Sequence, residues 1–121
     1  TSTGSDVFSA GTTNFGSTLF RVRYRLNGST PQVQIQVGTS NTNAAWTSIL
    51  GGTSNNVIEV VWQSGNTLQL YVNGSLAQTL TATTGSVGSA RLGSVTSGTS
   101  STLMYFDAFT SKRSVSPLIG P

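Results

Sequence analysis

Residues 56–74, NVIEVVWQSGNTLQLYVNG, decide the fold class. They read as two strands of a hairpin with a Ser-Gly-Asn turn between them. In the second strand Leu68, Leu70 and Val72 alternate with Thr67, Gln69 and Tyr71, the period-2 pattern of a strand buried on one face. Asn73-Gly74 then supplies the two positive-φ residues of a type I′ turn, so SLAQTL (75–80) is expected to fold back antiparallel. The first strand, VIEVVW, is apolar on both faces except at Glu59. That pattern predicts a central strand in a sheet covered on both sides.

Outward from this meander the chain continues in the same style. TLFRVRYRL (18–26) places Phe20, Val22, Tyr24 and Leu26 on one face and Arg21, Arg23 and Arg25 on the other. A loop from Asn27-Gly28 through Ser29, Thr30 and Pro31 returns into QVQIQV (32–37), with Val33, Ile35 and Val37 inward. AAWTSIL (44–50), VGSARLGSV (87–95) and TLMYFDAFT (102–110) read as further strands. About eight strands at the spacing of sandwiches and jelly rolls, with no stretch of helical periodicity, predict an all-β antiparallel sandwich in one domain spanning 18–111. The Ser/Thr/Gly-rich segment 1–17 reads as an N-terminal extension in which Val7, Phe8 and Phe15 are apolar anchors. A short strand is expected around Asp6 to Ala10. KRSVSPLIGP (112–121) holds two prolines and reads as a tail. The first residue is Thr1, as expected of a processed or excised piece.

Composition narrows the function. Of the 121 residues 36% are hydrophobic and only 7% charged, against roughly 25% charged in an average soluble domain. Ser and Thr make up roughly a third of the chain, so polar cover comes from hydroxyls and amides. That favours an extracellular or cell-surface β-protein. The formal charge of +3 rests on six basic residues against three acidic ones, short of the clustered Lys and Arg that nucleic-acid binding needs. No apolar run reaches the roughly 20 residues of a membrane span.

Enzymatic readings fare badly. Without histidine or cysteine there is no Ser-His triad, imidazole ligand or thiolate. A glycosidase needs two carboxylates flanking one bond, and Asp6, Glu59 and Asp107 are widely separated in sequence. No cofactor is expected. Asp107 reads as a structural acceptor or as a partner of Arg91 or Arg113. Asn27-Gly28-Ser29 and Asn73-Gly74-Ser75 fit the N-glycosylation pattern, but turn chemistry explains both. The Arg21/Arg23/Arg25 stripe has two readings. It is either an outward sheet face with guanidinium groups lying over aromatic rings, or a grip on an anionic glycan. Among the aromatic residues Tyr71, on the polar face of its strand, is the one expected to serve as a sugar platform, whereas Trp46 and Trp62 read as core.

The order WQSGNTLQLYVNG, Arg91-Leu92-Gly93, YFDAFTSKR and a closing IGP resembles bacterial members of the concanavalin A-like, or laminin-G-like, jelly-roll superfamily. It resembles in particular the C-terminal part of domains in large secreted proteins. The resemblance implies a jelly roll and a lectin-like or structural role. Relatives commonly carry a second acidic residue where this chain has Ala108, so no calcium site is carried over. Complete domains of the superfamily are longer, so the resemblance implies either a reduced, foreshortened jelly roll or one whose missing strands lie elsewhere. A missing strand is then expected from elsewhere, and Val7, Phe8 and Phe15 are placed to insert into a neighbouring copy. Two functions follow: a structural or adhesive homo-oligomeric module of an extracellular assembly, held by strand contacts, or a glycan-binding lectin-like module.

Overall fold

The computed structural model describes residues 4–38 and 42–93, the side chains of Thr42 and Asn43 excepted. Asp107, the strand expected over 102–110 and the tail lie outside the described residues. The alternating run 18–26 forms strand β2 (Thr18–Asn27), which turns through Gly28-Ser29 into β3 (Thr30–Val37). Asn27 faces Thr30, so the connection is tighter than the loop the sequence suggests. Gly28 at φ 64 takes the first central position of a two-residue hairpin turn, and Thr30 and Pro31 join the strand.

β1 (Ser5–Gly11) lies antiparallel on the other side of β2. Short β4 (Thr42–Asn43) and β5 (Thr47–Ser48) both pair with β3. β9 (Ser89–Leu92) closes the far side on β1, giving the order β4-β3-β2-β1-β9 with β5 also on β3. The second sheet is the meander: β6 (Ile58–Trp62), β7 (Thr67–Val72) and β8 (Ser75–Thr81), in that order. Its β7–β8 turn has Asn73 at φ 50 and Gly74 at φ 86, the type I′ signature. The turn is tied back to the start of β6. The Asn73 backbone N–H donates to Val57 O at 2.8 Å, and the Val57 N–H donates to Asn73 Oδ1 at 2.7 Å.

The two antiparallel sheets form a β-sandwich around one hydrophobic core. Phe20, Val22, Val33, Ile35 and Val37 from the larger sheet meet Leu68 and Leu70 from the meander. Ile35, Leu68 and Leu70 are fully buried. Phe20 and Trp62 stack across the core with ring centroids 5.3 Å apart. The aromatic stack anchors the two sheets to each other where their side chains interdigitate.

VIEVVW, expected in the middle of a sheet, forms β6, which among the described residues pairs with β7 alone. Its two-faced apolar pattern matches burial on both faces. Ile58, Val60 and Trp62 pack on the shared core, while Val61, on the opposite face, is only 7% exposed. The N-terminal segment holds the short strand expected around Asp6 to Ala10, but that strand, placed outside the 18–111 domain, belongs to the sandwich. β1 is hydrogen-bonded on both sides, to β2 and to β9 of the same chain. Val7 and Phe8 pack against the chain's own core, so in this arrangement β1 has no open edge to offer a neighbour. Of the three anchors, Val7 and Phe8 lie within the chain's own fold, and Phe15 lies beneath Arg91.

Candidate functional site

The outer face of the larger sheet is built by the same alternation that fills the core. Cross-strand partners share a face, and the register pairs Arg21 with Gln36, Arg23 with Gln34, and Arg25 with Gln32. With Phe20, Val22 and Tyr24 inward, three arginines and three glutamines line up on the opposite side. On β1, Ser9 faces Arg21, and across the next strand boundary it also faces Arg91. Arg91 therefore joins the row.

Asp6 reaches this face through a β-bulge. The register slips between Asp6 and Phe8, so Phe8 turns inward and Asp6 outward although strict alternation would place them together. The bulge sets the carboxylate between two guanidinium groups. Asp6 Oδ2 lies 3.0 Å from Arg21 Nη1, and Oδ1 lies 3.3 Å from Arg23 Nε. Both arginine side chains keep about a quarter of their area exposed, 22% and 24%.

An aromatic ring stands at each end of the row. The Arg25 guanidinium carbon lies 4.3 Å from the centre of the Trp46 ring, and Arg91 lies 4.2 Å from that of Phe15. Such stacking holds a guanidinium flat while leaving N–H groups on its rim for other partners. Arg25 Nε also donates to Gln32 Oε1 at 2.9 Å, and Gln32 Nε2 donates to Ser48 Oγ at 3.3 Å. At the Trp46 end Gly4, at φ +88, lies so close that a Cβ would sit 2.8 Å from Trp46 Cη2. No larger residue fits there without moving the ring. At the other end Phe15 is held at φ 52, a left-handed conformation that is an outlier for a bulky side chain.

Between the ends lies Gln34, only 6% exposed. Its Nε2 donates to Ala44 O at 2.9 Å, but its Oε1 has no hydrogen-bond partner among the described residues, and neither does Arg21 Nε. Buried polar atoms are rarely left so. Among the described residues, all four cations stand on this one face with Asp6. The other described acid, Glu59, pairs with Tyr71 on the outer side of the meander.

The structure thus brings Arg21, Arg23 and Arg25 together and sets Tyr71 apart, on the opposite face of the sandwich. The aromatic residue beside the arginines is Trp46, which its sequence context had pointed to the core. The reading of guanidinium groups lying over rings fits Arg25, while Arg21 and Arg23 hold the chain's own Asp6 carboxylate. The Gln32/Gln34/Gln36 alternation was visible in the sequence as a signal for this face. The contributions of Asp6 and Arg91 depend on a bulge and on a long-range pairing that leave no local pattern. Val7 and Phe8 are core, and Phe15 belongs to the end of the row. Asn73 and Gly74 make their turn. Among the described residues no helix is long and apolar enough to cross a membrane. Compared with protein-family models, curated proteins and solved structures, the chain matches none of them.

Proposed function

We propose that the protein is a non-catalytic, lectin-like module of an extracellular or cell-surface protein, and that it binds a glycan on the arginine–glutamine face of its larger sheet. The observation that carries this reading is the gathering of all four described arginines on one face, with a glutamine row beside them and an aromatic ring at each end. Planar donors, amide groups and ring faces are what recognition of a polyhydroxylated ligand uses. The resemblance to concanavalin A-like jelly rolls supports the same reading.

Binding without turnover fits the disposition of the acids. Asp6 is engaged by two arginines and Glu59 sits across the sandwich, so the two do not flank a common bond as a glycosidase pair must. The test is affinity electrophoresis through gels cast with a panel of neutral and acidic polysaccharides, comparing the native chain with an Arg23→Gln/Gln34→Ala variant. Retardation of the native chain by at least one polysaccharide, weakened in the variant, is expected. Free migration through every gel would end the proposal.

A second reading, a structural or adhesive subunit of a homo-oligomeric assembly, draws on a different feature. Among the described residues β8 has one unpaired edge, and on it Leu76 is 51% exposed. Exposed apolar edges invite strand pairing between chains. A molar mass by light scattering that rises with concentration supports this reading; a constant monomer mass removes it.

A further inference from the structure

We infer that the ligand of this face is an acidic polysaccharide bearing carboxylates, and that Asp6 occupies from within the chain the place that a ligand carboxylate takes. The inference rests on the glycan-binding reading above and adds the chemical class of the ligand.

Asp6 itself displays the subsite. Its two oxygens are divided between two arginines, at 3.0 Å from Arg21 Nη1 and 3.3 Å from Arg23 Nε. A carboxylate of another molecule approaching the same pair meets donors already set at the correct spacing. That geometry is maintained by the bulge on β1, which exists at the one point where a residue must be turned out of the core to reach the arginines. A bulge that re-aims one side chain is a device found beside functional sites.

Charge complementarity names the ligand. On one side of Asp6 stands Arg25 over Trp46, on the other Arg91 over Phe15. Neither has an ion-pair partner among the described residues. Arg21, Arg23 and Arg25 recur at every second residue of β2, a span of about 13 Å along the strand. Among the described residues four cations share this face with one carboxylate, a row that a polymer with repeated negative charges neutralises and a neutral glycan does not. Gln32, cross-strand from Arg25 and only half-buried, sets an amide on the same face, which suits a ligand that presents hydroxyl groups as well as carboxylates. Inorganic polyphosphate and DNA supply the charge but lack hydroxyl donors along the chain.

The experiment measures binding of the full chain at physiological salt to polygalacturonate, to its fully methyl-esterified form, to dextran, and to polyphosphate and single-stranded DNA. Polygalacturonate is expected to bind at least about tenfold more tightly than its ester, the scale of removing one charge-assisted hydrogen bond. Asp6→Asn, which removes the competing charge and keeps the side chain's shape, is expected to strengthen polygalacturonate binding by about threefold to tenfold, with circular dichroism showing that the variant is folded. Arg25→Gln is expected to weaken it by a similar factor and serves as the decisive variant should Asp6→Asn fail to fold.

Equal binding of the ester and the acid overturns the inference but leaves the glycan-binding reading standing. Absence of binding to any polysaccharide, acidic or neutral, overturns both. Polyphosphate or DNA binding as tightly as polygalacturonate overturns the inference, because the face would then read charge alone. A folded Asp6→Asn chain with unchanged affinity also overturns it.

Discussion

Replacing Gly74 by valine isolates the energetics of the β7–β8 turn. Gly74 sits at φ 86 and Asn73 at φ 50, and the turn cannot relax freely into another type. The two hydrogen bonds between Asn73 and Val57 fix its first residue against β6. An L-residue forced into left-handed backbone costs about 1–2 kcal/mol, and a β-branched one belongs at the upper end. Loss of glycine's freedom in the unfolded chain offsets about 0.4–1 kcal/mol of this. The net destabilisation is about 1 kcal/mol or slightly more. For a chain of this length it lowers the thermal midpoint by about 4 °C. Circular dichroism melting of Gly74→Val beside Gly74→Asn provides the assay, since asparagine tolerates positive φ and is expected to lose less than half as much. Wild-type midpoints for both variants would refute the turn assignment.

Leu70→Ala, at a fully buried position, is expected to destabilise by about 2–5 kcal/mol, read as a lower urea midpoint at unchanged slope; a loss under about 1 kcal/mol would mean that the two sheets do not meet there. A double-mutant cycle on Arg25 and Trp46 is expected to give a coupling of about 0.5–1 kcal/mol, and zero coupling would remove the stacked geometry. Gly4→Ala drives a Cβ to 2.8 Å from Trp46 Cη2, so the indole resonances of Trp46 are expected to shift while those of Trp62 stay in place. EDTA is expected to leave the thermal midpoint unchanged, because Asp6 and Glu59 lie on opposite outer faces and Asp107 has Ala108 as its neighbour; a fall of several degrees would reveal a calcium site.

Where local pattern alone determines geometry, the sequence was readable. Strict alternation in TLFRVRYRL and QVQIQV placed the arginines on one face, and Asn73-Gly74 announced its turn because few other residues accept that backbone. Three features depended on terms that no window of sequence contains. Asp6 points outward only because of a bulge, and nothing in SDVFSAG marks the slipped residue. β6 is apolar on both sides, a pattern that reports two-sided burial and does not give the strand's place in its sheet. Trp46 lies beside the arginines and not in the core because a tryptophan's burial is decided by what packs over it. Here that is Gly4 and the Arg25 guanidinium, both distant in sequence.

The position of β1 between β2 and β9 has a consequence for how the chain reaches its native state. Phe8 pairs with Leu92 and Gly11 with Ser89, so the larger sheet joins segments separated by roughly 80 residues, and closing so long a loop slows folding. During synthesis or export the N-terminal strand emerges first and its last partner much later. Until β9 arrives, one side of β1 is an open ladder beside Phe8 and Val7, the kind of edge on which unfinished chains aggregate. The β2–β3 and β6–β7–β8 hairpins close locally and are expected to form early. The capture of β1 by β9 is then expected to be the slow event. Slow refolding and a need for dilute conditions are expected from where one strand sits.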